Sequence, residues 1–191
     1  LKGGIVRFIA VAVIVLWAVM QYNRLITLRN QVTNGWKQID VQLKRRHDLI
    51  PNLVNTVKGA MNFERDTLEA VVAARNQAIK VQQSPGAHVG ETAAVEAQLT
   101  GALSRLLAVV EAYPDLKATG NVAQLQEELT STENKISFAR QAYNDAVLFS
   151  NNKIEMFPSN IIASMFSFRP QEFFEIEEPT QREAPKVQFT R

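Results

Sequence analysis

The segment "GGIVRFIAVAVIVLWAVMQY", residues 3–22, constrains this chain more than any other. About 20 residues of helix cross a hydrocarbon core of roughly 30 Å. Arg7 is the one charge inside the run, near its end, where a long side chain can reach the headgroups. Trp17 and Tyr22 lie toward the other end, as interfacial aromatics do. A cleaved signal peptide is the competing reading, but no small-x-small site follows the run. The sequence therefore predicts a transmembrane anchor over 1–21, carried by Ile5, Phe8, Val13, Leu16, Trp17 and Tyr22. Basic residues flank it almost equally, with Lys2 and Arg7 before and Arg24 and Arg29 after, so the charge rule does not orient it.

Beyond the anchor, Leu25, Leu28, Val32, Trp36, Ile39 and Leu43 recur every three or four residues, one stripe of an amphipathic helix. One continuous helix is predicted over about 5–47, apolar at first and amphipathic beyond. The next stretch, "DVQLKRRHDLIPNLV", reads as a corner. Asp48 is a good N-cap, and Pro51 falls in the first turn of a new helix, where its missing N–H has no partner to lose. The cations before Asp48 suit a helix C-terminus. A phosphate-binding basic cluster is the alternative, with no glycine-rich loop nearby to support it.

Further helices are predicted over about 49–82, 91–113 and 122–156, with a short one over 159–166. In the second, Ile50, Val54, Val57, Met61, Leu68, Val72 and Ile79 mark the stripe, and Arg75 stands where the spacing asks for a hydrophobic residue; in the third, Val95, Leu99, Leu103, Leu106 and Val110 mark it. Pro114 ends the third, and Asn121 is placed to cap the fourth, with Gln124 at the capping-box position. No segment alternates like a strand. The predicted fold is all-α, an N-terminal transmembrane helix continuous with an elongated antiparallel four-helix bundle. The bundle occupies 22–166, and an extended tail occupies 167–191.

Several chemistries find little support. The formal charge of +2 argues against a nucleic-acid partner. The absence of cysteine excludes thiolate metal sites and a cysteine nucleophile. His47 and His88 lie far apart, and no Glu-x-x-His pair occurs, against a zinc or di-metal site. No nucleophile elbow is present. No catalytic, metal or cofactor residue is assigned, and no cofactor is expected. Two surfaces remain. If each helix reverses direction, Lys44, Arg45, Arg46, Asp115 and Lys117 gather at the distal corners as a candidate partner contact. The segment bearing Ile161, Ile162, Met165, Phe166, Phe173 and Phe174 returns toward the anchor as a candidate membrane or subunit contact. Val41 belongs to a second stripe that could face a neighbour.

The blocks "YNRLITLRNQVTNGWKQIDVQLKRRHDLIPNLVNTVKGAMNFE", "EAYPDLKA", "LQEELTSTENKISFARQAYNDAV" and "FPSNIIASMF" with "FF" close behind resemble the LemA family of bacterial membrane proteins. The resemblance runs from Tyr22 to Phe174 and departs at Ser167, where the family pattern often has glycine. It implies a membrane anchor followed by long antiparallel helices and supplies no enzymatic activity or cofactor. Magnetosome-associated relatives suggest a membrane-organising role, by analogy. Relatives that are lipoproteins favour an extracytoplasmic bundle. The expected function is a single-pass, non-catalytic protein of the bacterial plasma membrane whose partners are the lipid bilayer and further copies of itself. The alternative is an adaptor recruiting another enzyme through the basic corner.

Overall fold

The computed structural model describes residues 2–58, 64–117 and 120–175. All regular structure among them is helical: α1 Lys2–Lys58, α2 Arg65–Gln82, α3 Val89–Glu111, the single turn α4 Pro114–Lys117, α5 Gly120–Glu155 and α6 Ser159–Met165. Met61, Phe63 and the tail beyond 175 lie outside the described residues, as does the side chain of Lys117.

The predicted corner at Asp48–Pro51 is absent. α1 runs through both residues without interruption and continues to Lys58, beyond the predicted end at about 47. Asp48 is an exposed mid-helix residue, not a cap. The reason lies in two seven-residue ladders that keep phase across the proline: Val32, Ile39, Arg46 and Leu53, and Trp36, Leu43, Ile50 and Val57. Ile50, Leu53 and Val57 are all fully buried. An interior proline costs a helix about 3 kcal/mol, whereas burying each such side chain is worth roughly 1.5–3 kcal/mol. Three of them outweigh the proline.

α2 begins at Arg65 and not at Leu49, and the phase of its stripe shifts accordingly. Of the predicted Leu68, Val72 and Ile79, Leu68 is buried, while the other buried residues are Val71, Ala78 and Val81. Arg75 belongs to that inward face. α5 begins at Gly120, so Asn121 is an exposed first-turn residue and not the cap. The N–H groups of a first turn lack intrahelical partners on either assignment, so the sequence does not separate the two.

α1 packs chiefly against α5, and α2 against α3. The register of the first pair follows from Gly35 and Arg46. A Cβ at Gly35 would stand 3.2 Å from the Tyr143 Cα, and Arg46 bonds Glu133, so α5 runs antiparallel to α1. Gly35 therefore permits a close backbone approach that a Cβ would crowd by a few tenths of an ångström. Three apolar clusters follow one another along α1. Leu25 packs with Ile162 and Ala163. Val32, Ile39 and Leu43 pack with Ile136, Tyr143 and Phe174. Ile50, Leu53 and Val57 pack with residues of α2, α3, α4 and α5.

After α6 the chain turns back and lies extended along α5. Asn151 bonds both main-chain groups of Gln171, and Asn144 both groups of Phe174. Seven helical residues rise about 10 Å, which three extended residues also span. The two asparagines thus offer amide pairs at the repeat of an extended strand. Tyr143 Oη donates to the Glu172 carbonyl at 2.8 Å. Burial, with the nearby Glu172 charge, pushes its phenol up to about 12.

Candidate functional site

The residues singled out as a basic corner have separate fates. Lys44 and Arg45 are exposed, while Arg46 and His47 are buried. Arg46 is therefore no partner contact; it occupies a core position of the first ladder. Asp115 sits in α4, level with the end of α1. Arg46 is 12 residues short of that end, about 18 Å at 1.5 Å per residue. The cluster assumed the corner, and without it these residues do not converge.

Arg46 and His47 instead join a network that sequence spacing did not indicate. One Arg46 nitrogen pairs with Glu96 Oε2, and the other donates to Glu133 Oε2 at 2.6 Å and Thr100 Oγ1 at 2.9 Å. His47 Nε2 lies 2.8 Å from Glu96 Oε1. A carboxylate can only accept, so Nε2 carries the proton. Burial raises the Glu96 pKa, but the His47 hydrogen bond and the Arg46 and His47 charges outweigh it and hold the carboxyl below its usual range. His47 Nδ1 and Arg46 Nε are buried without hydrogen-bond partners.

Pro51 completes the arrangement. Lacking an N–H, it leaves the carbonyl of His47, four residues back, without its helical donor. Arg75 Nε supplies one at 2.7 Å. The residue that broke the apolar pattern of α2 thus repairs the helix that the proline interrupts. The signal the sequence carries for this pairing is a proline inside an apolar-periodic run and an arginine on the apolar stripe of the next helix.

This network is suited to fixing helix register rather than to catalysis. The adjoining cleft, beside Arg46, Glu133 and Arg140, holds about 240 Å³. Ligand pockets usually span ~300–1,000 Å³. A carboxylate held ionised by a buried arginine is also a poor general acid. Among the described residues no group of three or more histidines and acids is placed to hold a metal ion.

The second predicted surface is divided. Ile162 and Phe174 are buried, at 6% and 2%, and so are core residues, not contacts. Ile162 points at Leu25 of α1, and Phe174 fills the cluster around Trp36 and Tyr143. Ile161, Met165, Phe166 and Phe173 are exposed. In the anchor, Ile5, Phe8, Val13 and Leu16 are exposed, whereas Trp17 and Tyr22 pack against α6.

A further apolar surface runs along the outside of the α1–α5 pair. Phe138 and Phe149 are exposed, and at 3.6 residues per turn they lie within about 20° of one another on α5. Val41 of α1, also exposed, lines the same groove as Phe138. Aromatic residues on helices are core by default, and by that reasoning the sequence places Phe138 and Phe149 inside; both are exposed, and of this stripe only Val41 was expected to face a neighbour.

The apolar window of α1 contains no buried residue and is long enough to cross a bilayer, while the rest of α1 is built into a helical body. Together these define a membrane-associated, all-α protein whose anchor and body share one helix. A family profile for LemA matches residues 35–189, and the chain belongs to the LemA family. Protein LemA of Metamycoplasma hominis is 27% identical over 158 residues, covering 82% of this chain and 69% of the relative. Magnetosome protein MamQ 2 of Paramagnetospirillum magneticum is 24% identical over 192 residues, covering 90% and 71%. Magnetosome protein MamQ of Magnetospirillum gryphiswaldense is 23% identical over 199 residues, covering 91% and 73%.

Proposed function

We propose that this protein is a non-catalytic, single-pass scaffold of the bacterial plasma membrane that self-associates laterally and organises the membrane surface, with its helical body on the extracytoplasmic side. The observation that carries the reading is the exposed stripe of Val41, Phe138 and Phe149. Large aromatic side chains in a row on an otherwise polar helix mark an association surface. Because α1 is continuous, the stripe keeps a fixed direction relative to the bilayer, and neighbouring copies can meet face to face. The names of the magnetosome relatives support a role at a membrane-bounded structure. The adaptor alternative rested on a basic corner that does not form.

The chain contains no cysteine, so single substitutions report contacts cleanly. Phe138→Cys and Phe149→Cys proteins in native membranes should form disulfide-linked dimers on mild oxidation, and Asn76→Cys on α2 should not. Phe138→Glu with Phe149→Glu should convert the detergent-purified protein from multimer to monomer. A wild-type chain that stays monomeric at every concentration, with no cross-linking at 138 or 149, sinks the proposal.

A further inference from the structure

α6 and the turn before it expose Met156, Phe157, Ile161, Met165 and Phe166, at 61%, 79%, 51%, 71% and 55%. Five large apolar side chains on so short a segment need a partner. The position of α6 along α1 identifies it. α6 packs on Leu25, with Trp17, Ala18 and Tyr22 alongside. The Tyr22 and Phe166 rings meet at a tilt of 54° with centroids 4.6 Å apart.

The apolar run of α1 is bounded by charge, Lys2 before and Arg24 after. Residues 3–22 rise about 30 Å, the thickness of the hydrocarbon core. Were the lipid to stop below α6, at Leu16, residues 3–16 would supply only about 21 Å, too short to span. α6 is therefore held at the depth where the core meets the headgroups. Four cations adjoin residues that pack with or bond to α6: Arg24 precedes Leu25, Arg29 lies over Phe168, Lys153 accepts from Ser159 through its carbonyl, and Arg169 follows Phe168, while Glu155 is an acid at the end of α5. Arg29 lies over the Phe168 ring, 5.5 Å from its centroid, and Phe168 in turn meets Tyr22 at 6.0 Å. Long helical side chains lean toward the helix N-terminus, so Arg24 and Arg29 lean toward the bilayer.

We infer that α6 with its preceding turn is a lipid-inserting wedge, collared by cations that select anionic headgroups. The wedge rests on the reading of α1 as a membrane span. It enters one leaflet beside the span, and Met156, Phe157, Ile161, Met165 and Phe166 replace acyl-chain contacts there. This asymmetric bulk, present in one leaflet only, adds to the area that the span already occupies.

Single spin labels test the wedge in the full chain reconstituted into vesicles of phosphatidylcholine alone or mixed with phosphatidylglycerol. Labels are placed at Ile161→Cys and Met165→Cys, with the exposed Asn76→Cys on α2 as an aqueous control and Leu16→Cys as a lipid control. Labels at 161 and 165 should be open to oxygen and shielded from a water-soluble nickel chelate, several-fold more so than at 76. They should sit deeper in the anionic vesicles. Labels at 161 and 165 as accessible to nickel as the one at 76, while 16 stays shielded, overturn the wedge alone. A label at 16 that is itself open to nickel overturns the span as well. Shielding from both reagents, with dipolar broadening that grows with protein density, assigns the surface to a second copy and refutes the lipid assignment. Equal depth in the two vesicle types refutes the cationic selection.

Discussion

Pro51 and Arg75 act as a pair although neither touches a ligand. The His47 carbonyl that proline strips of its donor sits beside a buried imidazole and carboxylate, where an unsatisfied acceptor costs about 1–3 kcal/mol. Arg75→Met should therefore destabilise the protein by about that amount, read as a fall in thermal midpoint in detergent. In a Pro51→Ala background the helix supplies its own N–H, so the same substitution should do much less. Equal losses in both backgrounds would show that Arg75 acts through something other than this carbonyl. Glu96 makes the second residue-scale prediction. Its folded pKa lies below the ordinary 4.5. Its contribution is thus present above the unfolded value and is lost as pH falls through the folded one. The wild type should lose stability more steeply than Glu96→Gln on acidification from pH 4.5 downward. Parallel curves would remove Glu96 from the acid response. None of this network was legible from local spacing, because its partners come from four separated segments, α1, α2, α3 and α5, and only the packed fold sets them side by side.

Among the elements, α6 depends on how it ends. The Phe168 N–H reaches the Ala163 carbonyl at 2.9 Å and the Ser167 N–H reaches the Ser164 carbonyl at 3.2 Å. These are the two bonds of a Schellman cap, and Phe168 adds the usual apolar contact with Ile162 and Ala163. Such a cap needs a left-handed residue, and Ser167 takes it at φ 56°. A non-glycine residue there is disfavoured by roughly 1–2 kcal/mol. Ser167→Gly should raise stability, by less than that figure because glycine also loses more entropy on folding. Unchanged or lowered melting would mean that the Ser167 side chain makes a compensating contact. The family resemblance had marked this position through its usual glycine, and the positive φ explains the preference. Elsewhere, the apolar stripes of α3 and α5 were readable because each helix keeps one phase. Val95, Leu99, Leu103, Leu106 and Val110 are all buried as their spacing required. α2 was misphased because a break was assigned at Asp48, although the ladder through Ile50 and Val57 signalled continuity. A proline was given more weight than three buried aliphatic residues.

At the scale of the whole molecule, the proposed span makes α1 the element that sets the reach of the protein from the bilayer. Its 57 residues rise about 85 Å, of which the span takes about 30 Å. Some 55 Å remain to stand clear of the lipid. α5, at 36 residues, is about 54 Å long and lies antiparallel beside that same portion. No free stretch of α1 separates the span from the body: α6 packs at Trp17–Leu25, and the second cluster begins at Val32. A tilt of the usual ~20° shortens the projected height by only a few ångströms. Single-particle images of the chain in nanodiscs should therefore show rod-like density projecting about 50–55 Å from one face, at one angle in most particles. Density that is blurred beyond the disc surface, or that projects less than half that far, would mean that α1 does not stand as one braced rod. A scaffold that presents Phe138 and Phe149 to its neighbours requires the fixed angle, because aromatic faces on tumbling bodies would meet in many orientations and specify no assembly.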